Sequence, residues 1–259
     1  MARRSPSPYG KVEFLLVLAV PALLLLGFDL VYEPEQVEPV GGAARYTGLT
    51  LMNLFLPTTL GIAIGLVGLV TLPQSLNARA TTDGTTSTTR VLSDVSVLVG
   101  LGVLSAVFAI VVAWGLAGVA RPTSAWTVVA GFAAGVGAVF GVGALIAAVA
   151  RTPAAAAMLG RVVFWPMVFI AGAFAYAPLM SDTMQRVASF TPLGAAAQMM
   201  QNGWFGPGPA GSPTSTHCAV VMLAWAAISW PLAVWRLRAR SQIRGGPAPT
   251  VHIPPNRTP

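Results

Sequence analysis

The sequence predicts an all-α integral membrane protein: six transmembrane helices, a re-entrant or interfacial helical segment before the last of them, and both termini in the cytoplasm. Three observations carry that prediction. Only 9% of the 259 residues are charged while 55% are hydrophobic, against roughly 25% charged in soluble domains. The apolar residues fall into six stretches long enough to cross a bilayer core, which needs about 20 residues at 1.5 Å each. Finally, the basic residues are distributed unevenly between the two sets of connections.

The six spans are Val12–Tyr32, Leu49–Leu72, Val91–Val119, Trp126–Ala150, Val162–Met180 and His217–Trp235. They divide the chain into a short N-terminal segment (1–11), a membrane domain (12–235) and a basic, Pro-rich tail (236–259). The first span follows Arg3, Arg4 and Lys11 as a secretory signal would, but its apolar run is long and Glu33, Glu35 and Glu38 follow it without a small-residue cleavage site. It therefore reads as a retained span.

Orientation follows from lysine and arginine. With the N-terminus inside, twelve basic residues (Arg3, Arg4, Lys11, Arg79, Arg90, Arg151, Arg161, Arg236, Arg238, Arg240, Arg244 and Arg257) are cytoplasmic, and only Arg45, Arg121 and Arg186 lie outside. The formal net charge of +7 thus reports membrane topology; it shows no clustered face for nucleic acid. The long outer connection 181–216 contains the apolar run Thr191–Phe205, too short to span. That run predicts a re-entrant or interfacial helix, with Trp204 and Phe205 at headgroup level.

Reactive groups are scarce. Cys218 is the one cysteine, and His217 and His252 are far apart, which excludes an internal disulfide and argues against a zinc site. Lys11 is the only lysine, so no G-x-x-x-x-G-K-[ST] phosphate loop exists. The run Gly141-Val-Gly143 lies within a span and reads as helix packing, as do Gly61/Gly65, Gly131/Gly135 and Gly137/Gly141 at four-residue spacing. Glu13, Asp29 and Asp94 lie near span ends, and the span centres hold no titratable residue. Ion-coupled transport and intramembrane hydrolysis both call for such groups at depth. What remains for a solute is an apolar path with Asn53, Thr58 and Thr59 on the second span and Phe164, Trp165, Phe169, Phe174 and Tyr176 on the fifth. Aromatic and methionine walls suit a large amphipathic solute; packing against lipid or neighbouring helices is the alternative for each such residue.

Two runs carry a family resemblance. Gly143-Ala-Leu-Ile-Ala-Ala-Val-Ala-Arg-Thr followed by Phe164-Trp-Pro-Met-Val-Phe-Ile-Ala-Gly-Ala-Phe, then Pro178, then Phe190-Thr-Pro-Leu-Gly-Ala-Ala-Ala-Gln-Met-Met-Gln-Asn-Gly-Trp-Phe-Gly, resemble the late part of type-2 ABC exporter permeases. These are the membrane subunits of bacterial multidrug and lipid exporters, including the daunorubicin-exporter-like group. Pro192, Gly194, Trp204 and Gly206 match the family's motif in its re-entrant segment.

The resemblance implies a chain with no cofactor of its own, with ATP and Mg held by separate ABC ATPase subunits. It also implies a second permease subunit, identical or not, and a hydrophobic drug, antibiotic or lipid as solute in the bacterial cytoplasmic membrane. The ATPase-coupling loop would then be Asn77–Ser93, with Arg79, Asp83, Gly84 and Arg90 as its candidate residues. Here threonines replace the acidic residues and leucines of the family pattern, and Pro6 and Pro8 interrupt the N-terminal amphipathic helix. The other class compatible with the sequence is a non-transporting membrane interaction or assembly protein.

Overall fold

The computed structural model describes residues 19–24, 26–27, 51–82, 88–117, 121–172, 181–208 and 211–244. Those residues are helical apart from short connections, and no strand occurs among them. Five helices are long and apolar enough to cross a membrane, so the chain is a multi-pass helical membrane protein. In order, α1 is Leu51–Gly65, continued through a π-helical segment Leu66–Thr71 into α2, Leu72–Thr82; then α3 Thr88–Ala117, α4 Ala125–Val149, α5 Pro153–Ile170, α6 Asp182–Phe190, α7 Pro192–Phe205 and α8 Ser215–Arg244.

The rod α1–π–α2 is the hub, packed by α3, α4, α5 and α7. Its side chains Leu56, Leu60, Ile64 and Leu69 meet Val139, Val142 and Ile146 of α4, Phe164 and Val168 of α5, and Leu193 and Met200 of α7 in one core. A smaller cluster joins Val67, Leu72 and Leu76 to Leu98 and Leu101 of α3 and Phe140 and Ala147 of α4. On α3 the buried positions include Leu98, Leu101, Ser105, Ala106, Ala109 and Ala113, whereas Val103, Leu104, Val107, Phe108, Val111 and Trp114 are exposed. Small residues inward and large ones outward is the pattern of a helix that packs on protein on one side and lipid on the other.

The π segment has an identifiable cause. Pro73 follows it closely and has no backbone N–H. That missing donor is the one the Gly68 carbonyl would use in π register, or the Leu69 carbonyl in α register. The two carbonyls are instead covered by glycines: a Cβ on Gly143 of α4 would collide with the Gly68 oxygen, and one on Gly160 of α5 with the Leu69 oxygen. Backbone thus meets backbone where three helices cross, an approach only glycine permits.

Several boundaries differ from the sequence expectation. Of the first span, residues 19–24 and 26–27 are helical, with Ala22 buried and Leu24 and Leu26 against the core; the remainder lies outside the described residues. The third and fourth spans match α3 and α4 within three residues. The fifth starts at Pro153, nine residues before Val162, because Thr152 caps the helix (its hydroxyl accepts from the Ala155 N–H at 3.1 Å) and proline follows at the first position. The second rod continues past Leu72 to Thr82, and α3 begins at Thr88. The threonine-rich connection is therefore shorter than Asn77–Ser93, since threonine's propensity penalty of under about 0.7 kcal/mol per residue does not stop a helix held by packing. The last helix runs beyond Trp235 to Arg244.

Candidate functional site

Among the described residues, α7 is enclosed along most of its length. Leu193, Gly194, Ala195, Ala196, Ala197, Met199, Met200, Gly203 and Trp204 are all buried, between α1, α4 and α8. A run of glycine and alanine lets those helices close around it. Thr191 sets its entry. Its hydroxyl accepts from the Gly194 N–H at 3.1 Å and donates to the Ala188 carbonyl at 2.9 Å, so one residue ends α6 and caps α7. A Cβ on Gly194 would strike that same Ala188 carbonyl. The exit is fixed by the connection before α4. Ser124 N–H donates to the Gly203 carbonyl at 2.8 Å, Thr123 N–H to the Trp204 carbonyl at 3.1 Å, and the Thr123 hydroxyl to the Gly203 carbonyl at 3.0 Å. These bonds satisfy carbonyls that the last turn leaves open. Gly206 then turns the chain away at φ 85°, a left-handed value suited to glycine.

All four sequence-derived residues of this segment, Pro192, Gly194, Trp204 and Gly206, lie on α7 or at its ends. One expectation needs correcting. Trp204 is only 3% exposed and packs in the main core, so protein, and not lipid headgroups, surrounds it. The segment is embedded because its other faces are apolar as well.

Amides tether α7 to its surroundings. Gln201 Nε2 donates to Thr58 Oγ1 on α1 at 3.2 Å, Gln198 Nε2 to the Gln185 carbonyl on α6 at 3.1 Å, and Asn202 Nδ2 to the Pro213 carbonyl before α8 at 2.9 Å. Beside them His217 Nε2 lies 3.2 Å from Ser189 Oγ. The Ser189 hydroxyl donates to the Arg186 carbonyl at 2.7 Å, so the imidazole N–H donates to the serine. That contact fixes α6 on α8, as does Trp225 Nε1 donating to the Phe190 carbonyl at 2.9 Å. Among the described residues no group of His, Cys, Asp and Glu could hold a metal ion.

The candidate path residues are not brought together. Phe164 is buried against Gly65, while Trp165 and Phe169 point outward, 57% and 54% exposed, with the Phe164 and Trp165 rings edge-on at 5.4 Å. Thr58 and Thr59 are buried on the hub. The side chain of Asn53, together with Phe174 and Tyr176, lies outside the described residues. In the candidate coupling region Asp83 and Gly84 also lie outside them. Arg79 is on the last turns of α2 and Arg90 on the first turn of α3, so the two helices bracket residues 83–87.

Sequence reading passed over two features. Asn77 Nδ2 donates to the Ala147 carbonyl at 2.9 Å and to the Pro73 carbonyl at 3.2 Å, tying the end of α2 to the last turn of α4. The Gln198/Gln201/Asn202 set is spaced three and four apart, a helical-face signal visible in the sequence. Glycine pairing is mixed. Gly131 and Gly135 sit against Met199 and Ala196 of α7, but a Cβ on Gly137 would meet nothing, and its carbonyl instead accepts from Trp230 Nε1 at 2.9 Å.

No family model matches the chain, and comparison with the curated proteins finds no match either.

Proposed function

We propose that this chain is the permease subunit of an ATP-driven, type-2 ABC exporter in the bacterial cytoplasmic membrane. In this reading it has six spans and both termini inside, and it pairs with a second permease subunit. Separate ATPase subunits that bind ATP and Mg energise it, and it carries a hydrophobic or amphipathic compound such as a drug, an antibiotic or a lipid out of the cell. The observation that carries the reading is the α6–α7 pair. The run Phe190–Gly206, within the part Gly143–Gly206 where the family resemblance is specific, forms a buried non-spanning helix directly before the last span. The absence of acidic residues and histidine from the span centres favours an external energy source.

The tightened connection between Thr82 and Thr88 is where an ATPase subunit would dock. Gentle solubilisation of the full chain from its native membrane should bring down a protein with a phosphate-binding loop, and ATPase activity of the complex should respond to solute. The Arg79/Arg90 double replacement by glutamine should weaken that association. Purification of a stable chain with no ATPase partner would defeat the proposal.

A further inference from the structure

α5 carries a single charged residue within its apolar run. Arg161 lies eight residues into Pro153–Ile170, about 12 Å along the axis from its start, and its side chain is exposed. α5 has no acidic residue. Met158, Trp165 and Phe169 stand at −3, +4 and +8 from Arg161, on the same face of the helix, and are 67%, 57% and 54% exposed. The face therefore presents one guanidinium with an apolar residue before it and two aromatic rings after it.

Arg161 has no acidic partner among the described residues, and an arginine on a membrane helix finds a counter-ion or reaches the interface. Of the acidic residues among those the structure describes, Asp94 is buried within its own subunit and Asp182 begins α6, beyond the end of α5. The bilayer component with an anionic phosphate, no headgroup cation competing for it, and a hydrocarbon tail is an anionic phospholipid. Guanidinium binds phosphate oxygens in a bidentate fork, and flat aromatic surface suits an acyl chain.

We infer that the Arg161–Trp165–Phe169 face of α5 is a binding site for an anionic phospholipid, its phosphate on Arg161 and its acyl chain along the two rings. This inference does not depend on the transport reading.

The test uses the full chain in phosphatidylcholine vesicles, to which brominated phosphatidylglycerol or brominated phosphatidylcholine is added as quencher. The contribution of Trp165 to emission is the difference between the wild type and Trp165→Phe. Quenching of Trp165 should occur at a roughly tenfold lower fraction of the anionic lipid, the factor expected of one charge-assisted hydrogen-bonding contact. Arg161→Gln should equalise the two lipids, and Arg161→Lys should retain part of the preference. Equal quenching of the wild type by both lipids would overturn the site, as would no quenching by either, which would mean that protein covers the face. Displacement of the lipid by inorganic phosphate would also overturn it. Should Arg161→Gln fail to fold, the two-lipid comparison on the wild type and the lysine variant still decide.

Discussion

The hub rod and α5 are both apolar enough to span a membrane, yet they occupy opposite environments. Within the stretch Leu56–Ala78, 83% of the apolar window is buried, against 28% for Pro153–Ile170. Hydropathy does not separate them, because lipid tails are as apolar as leucine. What separates them is how the helices are approached. The hub is reached through glycine and held by amides and hydroxyls, as at Gly143, Gly160, Gln201–Thr58 and Asn77–Ala147. α5 turns one face of large side chains, Met158, Val162, Trp165 and Phe169, away from the bundle. In this chain small and amide-bearing residues mark the inside, and bulky apolar residues mark either side.

That contrast is tested hardest where backbone touches backbone. Gly143→Val and Gly160→Val each place side-chain carbon against a carbonyl of the π segment, which has no rotamer by which to move aside. Each should lower stability by about 3 kcal/mol or more, the upper range for overpacking, read as loss of the folded peak in size-exclusion chromatography after mild heating. Gly137→Val, where no atom lies within 4 Å, should remain near wild type. Equal tolerance at Gly143 and Gly137 would show that the crossing at the π segment is looser than described.

Next in size is the joint that sets α7 in place. Thr191→Val removes the cap to the Gly194 N–H and the bond to the Ala188 carbonyl, and should cost about 2 kcal/mol, the top of the range for threonine caps. Thr191→Ser keeps the hydroxyl and should recover most of that loss. Thermal unfolding in detergent distinguishes the two.

The difference between these regions also explains what the sequence disclosed. α3 and α4 were legible nearly to the residue because their apolar runs end in connections where the periodic pattern stops. α5 was misplaced by nine residues: Arg161 and the small run Ala154–Ala157 dilute the hydropathy, while the Thr152–Pro153 start signal depends on local capping. The embedding of α7 was half legible. Its length excluded a span, but whether protein or headgroups cover Trp204 depends on α1, α4 and α8, which are remote in sequence. The π segment is a consequence of Pro73 meeting two glycines from other helices, and only the proline is visible locally. Of the candidate path, the aromatic residues were found but not their division between faces, since Phe164 and Trp165 differ by one residue and hence by about 100° around the helix.

A smaller effect is expected at the inner end of the hub. Asn77→Leu keeps the number and branching of side-chain heavy atoms and removes the bonds to the Ala147 and Pro73 carbonyls. Hydrogen bonds between membrane helices contribute about 0.6 kcal/mol on average and up to about 1.7. A loss near about 1 kcal/mol is expected, inside that range. The readout is the unfolding midpoint in denaturant. An unchanged midpoint would mean that α2 is held by packing of Leu72 and Leu76 alone.

The smallest effect belongs to the outward face of α5. Phe169→Leu alters a ring that is more than half exposed, and replacement away from buried contacts changes stability by less than about 0.5 kcal/mol. Phe164→Leu, one turn away but buried against Gly65, should lose about 1 kcal/mol or more, since shortening a buried aromatic leaves space that the packed hub does not close. Measuring the two variants side by side, in the same detergent and by the same unfolding curve, isolates facing from residue type. If Phe169→Leu is as damaging as Phe164→Leu, something other than lipid packs on that face, and the division between an enclosed hub and an open α5 fails there first.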